Sequence, residues 1–113
     1  MILAQWSCEV PQENLKGFTN FVENKLKPFY ESLGCVRYEL FFPMSTEKQY
    51  FPYQIKENKN RYSEQIIFES LEDFEKFYYT IEKDEAAQNI VGRYVKEFGI
   101  STCNFKILKI VFK

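Results

Sequence analysis

Two hydrophobic periods alternate along this chain, and their order limits the folds open to it. From Ile2 to Glu9, the residues Ile2, Ala4, Trp6 and Cys8 alternate with Leu3, Gln5, Ser7 and Glu9. This is the two-residue period of a strand with one apolar and one more polar face. After Pro11, the apolar positions Leu15, Phe18, Val22, Leu26, Phe29 and Leu33 recur every three or four residues, which predicts an amphipathic helix. Pro28 interrupts that pattern and removes a backbone donor, so the helix should kink or divide between Asn24 and Lys27, and Gly34 is placed to end it. Period two returns from Cys35 to Phe42, with Val36, Tyr38, Leu40 and Phe42 on the more apolar face, and Pro43 terminates it.

Residues 43–61 carry neither period. A structureless connection of that length is uncommon in a compact domain. The segment is therefore expected to be either a mobile lid or a short extra edge strand from Tyr50 to Lys56, turning back through 57–60. A further strand spans Tyr62 to Glu69. Ser70 and Asp73 then have the spacing of a capping box, which satisfies the free amides at a helix start. Leu71, Phe74, Tyr78 and Ile81 form one helical stripe, and Ala87, Ile90, Val91, Tyr94 and Phe98 form a second, with a break in phase between Thr80 and Glu85. A last strand is expected from Thr102 to Phe112. Lys106, Lys109 and Lys113 on or beside it need no partner, since lysines protect edge strands from stray pairing.

The order is thus strand, helix, strand, strand, helix, strand, with no repeat or linker to divide residues 1–113 into more than a single domain. Right-handed crossovers make this an α+β, ferredoxin-like βαββαβ fold with an antiparallel sheet in the order 4-1-3-2 and helices on one face. Strand parity puts Trp6, Tyr38, Leu40, Ile66 and Phe68 beneath the helices. It leaves Gln5, Ser7, Arg37, Glu39, Gln65 and Ile67 on the open face, beside apolar neighbours such as Phe41. A mixed face of this kind is expected to close against a second copy, sheet on sheet.

Composition narrows the chemistry. The chain has no histidine, which removes His-dependent nucleophile systems, His-ligated zinc and His-ligated haem together. No cofactor is called for. Its 12 Phe, 8 Tyr and 1 Trp fit a large aromatic core. A net charge of −1 offers nothing to phosphate backbones or anionic membranes. RNA-recognition domains share the element order, but they stack bases on open-face rings, where this chain has Gln5, Ser7, Ser63 and Gln65. No apolar run reaches the length of a membrane span, and the start at Met1 lacks a leader's basic region, so a cytoplasmic protein is expected. Cys8, Cys35 and Cys103 are odd in number and lack CxxC spacing, which favours unpaired buried thiols. A Cys8–Cys103 pair is the alternative, because the strands carrying them should be neighbours.

The run from Gly34 to Phe41, preceded by the helix ending in Lys27–Leu33, resembles the matching segment of antibiotic-biosynthesis-monooxygenase-like domains of the dimeric α+β barrel group. Ile66–Phe74 is similar to that family's strand-end aromatic, acidic residue and helix start. The resemblance covers about three-quarters of the chain and excludes residues 43–61. It implies a homodimer whose two sheets form a barrel, with a hydrophobic pocket in each subunit between sheet and helices. Some such proteins oxidise quinol-like or polycyclic aromatic molecules with O₂ and no cofactor, and others degrade haem. Phe68 stands where the family usually has Trp, and Phe77–Thr80 replace a region where many members carry histidines.

The residues expected to line such a pocket are Trp6, Tyr38, Glu64, Phe68, Tyr78 and Tyr94. Aromatic walls with few polar groups suit a flat, apolar ligand. Glu64 is the candidate catalytic carboxylate, because burial can raise its pKa into general-base range. The bland reading makes the rings core and Glu64 a strand-end surface residue. Two functions follow: a cofactor-independent monooxygenase-like enzyme for a small aromatic or quinol-like molecule, or a non-catalytic ligand-binding or protein-interaction module of the same fold.

Overall fold

A computed structural model describes residues 1–112 of the protein; Lys113 lies outside the described residues. The two-residue period of the first segment becomes β1 (Ile2–Glu9), one of the two inner strands of the sheet. It pairs antiparallel with β3 (Arg61–Phe68) on one side and with β4 (Ser101–Lys109) on the other, and β2 (Arg37–Phe41) adds to β3. The strand order is 2-3-1-4, which is the expected 4-1-3-2 read from the other edge.

Registers run straight across the four strands, so each row of side chains shares a face. On the open face, Arg37, Ile67, Leu3 and Leu108 form one row, Glu39, Gln65, Gln5 and Lys106 the next, and Phe41, Ser63, Ser7 and Asn104 a third. On the other face, Tyr38, Ile66, Ala4 and Ile107 form one row, and Leu40, Glu64, Trp6 and Phe105 another. The helices cover this second face, and the core lies between them and the sheet.

The first helical stripe is built as α1 (Leu15–Phe21), a π-helical turn (Val22–Leu26) and α2 (Lys27–Ser32). The division therefore falls where Pro28, in the first turn of α2, predicts it. Four-residue steps in an α-helix overshoot a full turn by about 40°, and the wider π turn takes up that drift. Phe18, Val22, Leu26 and Tyr30 consequently stay in one buried line, whereas the sequence stripe assigned its fourth step to Phe29, which is only half-buried. Gly34 takes φ +94° after α2, the left-handed conformation that glycine adopts without steric cost.

In the second half, α3 (Leu71–Lys83) starts on the Ser70 side chain, which accepts from the Asp73 amide at 3.2 Å. The break in phase is a junction at Asp84, whose carboxylate accepts from the Ala87 amide at 3.1 Å and opens α4 (Glu85–Glu97).

Three expectations need correction. No strand forms between Tyr50 and Lys56: residues 42–60 run without regular structure and are tied within themselves by Gln49 and Gln54. The two edge strands are also shorter than expected, β2 beginning at Arg37 and β4 ending at Lys109.

The third correction concerns the thiols. Cys8 and Cys103 are joined as a disulfide, and Cys35 alone is free and buried. The β1–β4 register slips between Ser7 and Glu9, so that Thr102 and Cys103 both oppose Cys8. Thr102 adopts φ +53° there, and the Arg61 guanidinium donates to its carbonyl at 2.9 Å. The register that runs from Ile2–Lys109 to Ser7–Asn104 already sets Cys8 opposite Cys103, and the bulge adds its extra residue, Thr102, just beyond that pair.

Candidate functional site

Parity along β3 points Tyr62, Glu64, Ile66 and Phe68 toward the helices, and all four are buried. Glu64, at 1% exposure, is the buried charged residue of this core, so the reading that it reaches solvent at a strand end does not hold. The Tyr38 hydroxyl, reaching diagonally from β2, donates to its Oε1. Burial pushes the Glu64 carboxyl up to about 7, and the Tyr38 hydrogen bond partly opposes that rise by favouring the charged form. Burial likewise pushes the Tyr30, Tyr38, Tyr62 and Tyr94 hydroxyls up, and the Glu64 charge adds to each. Four tyrosines from β2, β3, α2 and α4 thus surround one carboxyl.

Rings close the space around this group. Tyr62 packs against Phe18 at 4.6 Å between centroids, Tyr94 stacks on Phe21 at 5.8 Å, and Tyr30 meets Phe77 edge-on at 5.0 Å. The Tyr62 hydroxyl is buried close enough to that of Tyr94 for each to shift the other's titration, yet it lacks a partner at full hydrogen-bond geometry.

Clefts open on the surface of the described residues. A groove of about 240 Å³ runs between the π turn and β2, with Thr19, Val22 and Lys27 on one wall and Tyr38 and Leu40 on the other. Tyr38, which holds Glu64, is one of its lining residues. A larger cleft of about 550 Å³ lies between residues 43–59 and the sheet end at Phe41, Arg61 and Ser63. Neither cleft is lined by Trp6, Glu64, Phe68, Tyr78 or Tyr94.

Of the six expected residues, the structure brings Tyr38, Glu64 and Tyr94 together. Phe68 is buried beside them, packed on Phe74 and Phe77 at 5.6 and 5.0 Å. Trp6 stands apart toward β4, half-buried and 4.5 Å from the Phe105 ring. Tyr78 does not project between sheet and helices. It is 54% exposed, because α3 turns Phe74 and Phe77 inward at a three-residue step. Tyr62 and Tyr30 are the members that sequence reading missed. Tyr62 had a signal, since it shares the parity of Glu64. Tyr30 had none, because its position depends on the π turn.

No protein-family model matches the sequence, and no curated protein matches it. Solved structures do: the ferredoxin-like α+β fold seen here is the fold of antibiotic-biosynthesis-monooxygenase-like proteins. A Deinococcus radiodurans protein with a proposed antibiotic-biosynthesis-monooxygenase assignment superposes with a TM-score of 0.69 at 8% identity, covering 100% of this chain and 95% of that one. A dimeric ferredoxin-like protein from an uncultured marine organism gives 0.67 at 16% identity, over 100% and 97%. SnoaB, a cofactor-independent oxygenase from Streptomyces nogalater, gives 0.67 at 11% identity, over 99% and 94%. At these identities the likeness is one of fold. Among the described residues no three metal-ligating side chains gather, and no helix is long and apolar enough to cross a membrane.

Proposed function

We propose that the protein binds a small, flat, weakly acidic aromatic molecule of the quinol or polycyclic phenol type, and that Glu64 is the base which deprotonates it for reaction with O₂. The observation that carries this reading is the buried Glu64 carboxyl, raised to about 7 and held by one tyrosine. A base poised near neutral pH is half ionised where it must work. Tyr38, its hydrogen-bond partner, is also among the residues lining a surface groove, and an oxygenase without cofactor shares the fold.

In this scheme Glu64 takes the proton from an acidic ring C–H or O–H, and Tyr38 keeps the carboxylate oriented. The anion gives its electrons to O₂ directly. An enolisable ring CH₂ thereby gains one oxygen atom as C=O, while the second leaves as water. The surrounding rings keep solvent from the anion. The functional unit in this reading is a homodimer formed through the open sheet face, whose rows place Leu3, Ile67, Leu108 and Phe41 among polar neighbours.

A second reading, a non-catalytic binding or interaction module, is favoured by the absence of Glu64 from the lining of both clefts. O₂ uptake in air-saturated buffer with a panel of quinols and polycyclic phenols separates the two. The enzyme reading expects uptake that falls at least 100-fold in Glu64→Gln while ligand affinity is kept. Binding without uptake supports the module, and neither binding nor uptake removes both.

A further inference from the structure

The two sulfurs of the Cys8–Cys103 bridge have unlike surroundings. Cys8 is 2% exposed and belongs to the core, on the side of β1 that the helices cover. Cys103 stands on β4, an edge strand whose every residue is exposed. In thiol–disulfide exchange the sulfur that can be reached is the one attacked, and its partner leaves. A thiolate arriving from solvent therefore meets Cys103.

The backbone keeps these positions together with or without the bond. The β1–β4 register sets them opposite each other, with Cα atoms 4.2 Å apart. The Arg61 guanidinium ties both strands at the same level, donating to the Ser7 carbonyl just before Cys8 at 3.1 Å and to the Thr102 carbonyl just before Cys103 at 2.9 Å. Arg61 is itself anchored on β3, opposite Glu9 in the ladder and 3.4 Å from its carboxylate. A pair clasped in this way can close again after it opens. Thr102 holds φ +53° beside the exposed sulfur, a conformation that a β-branched residue adopts only where its surroundings impose it.

We propose that Cys103 is a thiol-exchange site, at which a low-molecular-weight thiolate opens the bridge and forms a mixed disulfide on the sheet edge. The incoming sulfur bonds to Cys103 Sγ, the protein S–S bond breaks, and its electron pair leaves on Cys8 Sγ. Burial favours the neutral thiol, so Cys8 takes up one proton from water. A second thiolate bonds to the small-molecule sulfur of the mixed disulfide and releases Cys103. This completes a two-electron reduction of the pair and oxidises two small thiols to their disulfide. In reverse, the Cys8 thiolate attacks Cys103 Sγ, expels the small thiol and restores the bridge. The site is independent of the Glu64 chemistry and of any dimer. Through it, the ambient ratio of thiol to disulfide sets whether the first and last strands are covalently joined.

The probe is glutathione in excess over the folded, bridged chain, with samples quenched in acid, alkylated in denaturant and mapped by peptide mass. The opening rate is expected to rise in proportion to glutathione concentration, with the adduct on Cys103 exceeding that on Cys8 by about tenfold or more. The bridge should re-form when glutathione disulfide replaces the thiol. In urea, where both sulfurs are open to attack, the adduct should spread over both cysteines. An opening rate that levels off as glutathione rises shows that the bridge yields only in unfolded chains, and overturns the proposal. So does a bridge that glutathione leaves intact, an adduct shared equally between Cys8 and Cys103 in the folded chain, or a reduced pair that glutathione disulfide fails to close.

Discussion

The Tyr38 hydroxyl donates to the Glu64 carboxylate between diagonal neighbours on adjacent strands, since Tyr38 faces Ile66 in the register and Glu64 faces Leu40. Diagonal side chains of this kind lie within reach only when one of them is long. The pair is made by a tyrosine on the outer strand and a carboxyl whose remaining surroundings are rings, so the charge of Glu64 depends on one donor.

That dependence sets a pH response. Below about 4.5, the ordinary value, the carboxyl is protonated in both folded and unfolded chains. Between there and about 7 the unfolded chain has released its proton while the folded protein retains it. Stability therefore falls as the pH rises through this window, by about 3 kcal/mol once the pH passes 7. Glu64→Gln is expected to flatten the curve across the same window, and Tyr38→Phe to carry the decline to higher pH. Urea denaturation at half-unit pH steps measures both, and a Glu64→Gln curve parallel to the parent would refute the assignment.

The Tyr62 hydroxyl is buried with no partner at full hydrogen-bond geometry, its neighbour being the Tyr94 hydroxyl. Desolvating such a group without a compensating bond costs about 1–3 kcal/mol. Tyr62→Phe keeps the ring that packs on Phe18 and removes the hydroxyl, so the variant is expected to be more stable than the parent by about 1 kcal/mol. Thermal and urea unfolding midpoints test this, and a lower midpoint in both would show that the hydroxyl is satisfied in solution.

With Cys8 and Cys103 joined, thiol titration in denaturant without reductant is expected to count one thiol, that of Cys35. Cys8→Ser should lower stability by about 5 kcal/mol, the loop-closure effect for a bridge spanning 95 residues. A count of three thiols would show the bond open in the isolated protein.

Much of this architecture can be read before any coordinates, because period and capping act locally. The alternation of Ile2–Glu9, the Ser70 cap and the break ahead of Glu85 all depend on residues within one turn or one strand of each other. Sheet order follows from handedness. Parity likewise places Tyr38 and Glu64 on the helix side, where they meet.

What local reasoning loses is lateral position and phase drift. Trp6 and Glu64 share a row, yet Trp6 stacks toward β4 and Glu64 turns toward β2, a difference of neighbours that parity does not carry. Tyr30 replaces Phe29 in the buried line only because the π turn changes the helical phase. The Cys8–Cys103 approach depends on the β1–β4 register, which pairs strands from the two ends of the chain. Residues 43–60 lack any period because their order comes from hydrogen bonds such as those of Gln54, not from a buried face.

The sulfur bridge also gives the molecule a mechanical character. The Ile110 amide donates to the Met1 carbonyl at 3.0 Å, so the two extremities of the folded chain sit side by side on antiparallel strands. Tension applied to them would peel β1 from β4 one rung at a time, starting at Ile2 and Lys109, and would stop at Cys8 and Cys103. Every helix, both remaining strands and the Glu64 cluster lie inside that covalent ring, which limits how far the chain can be drawn out until the bond is cut, while β3 shares the load through its own ladder with β1.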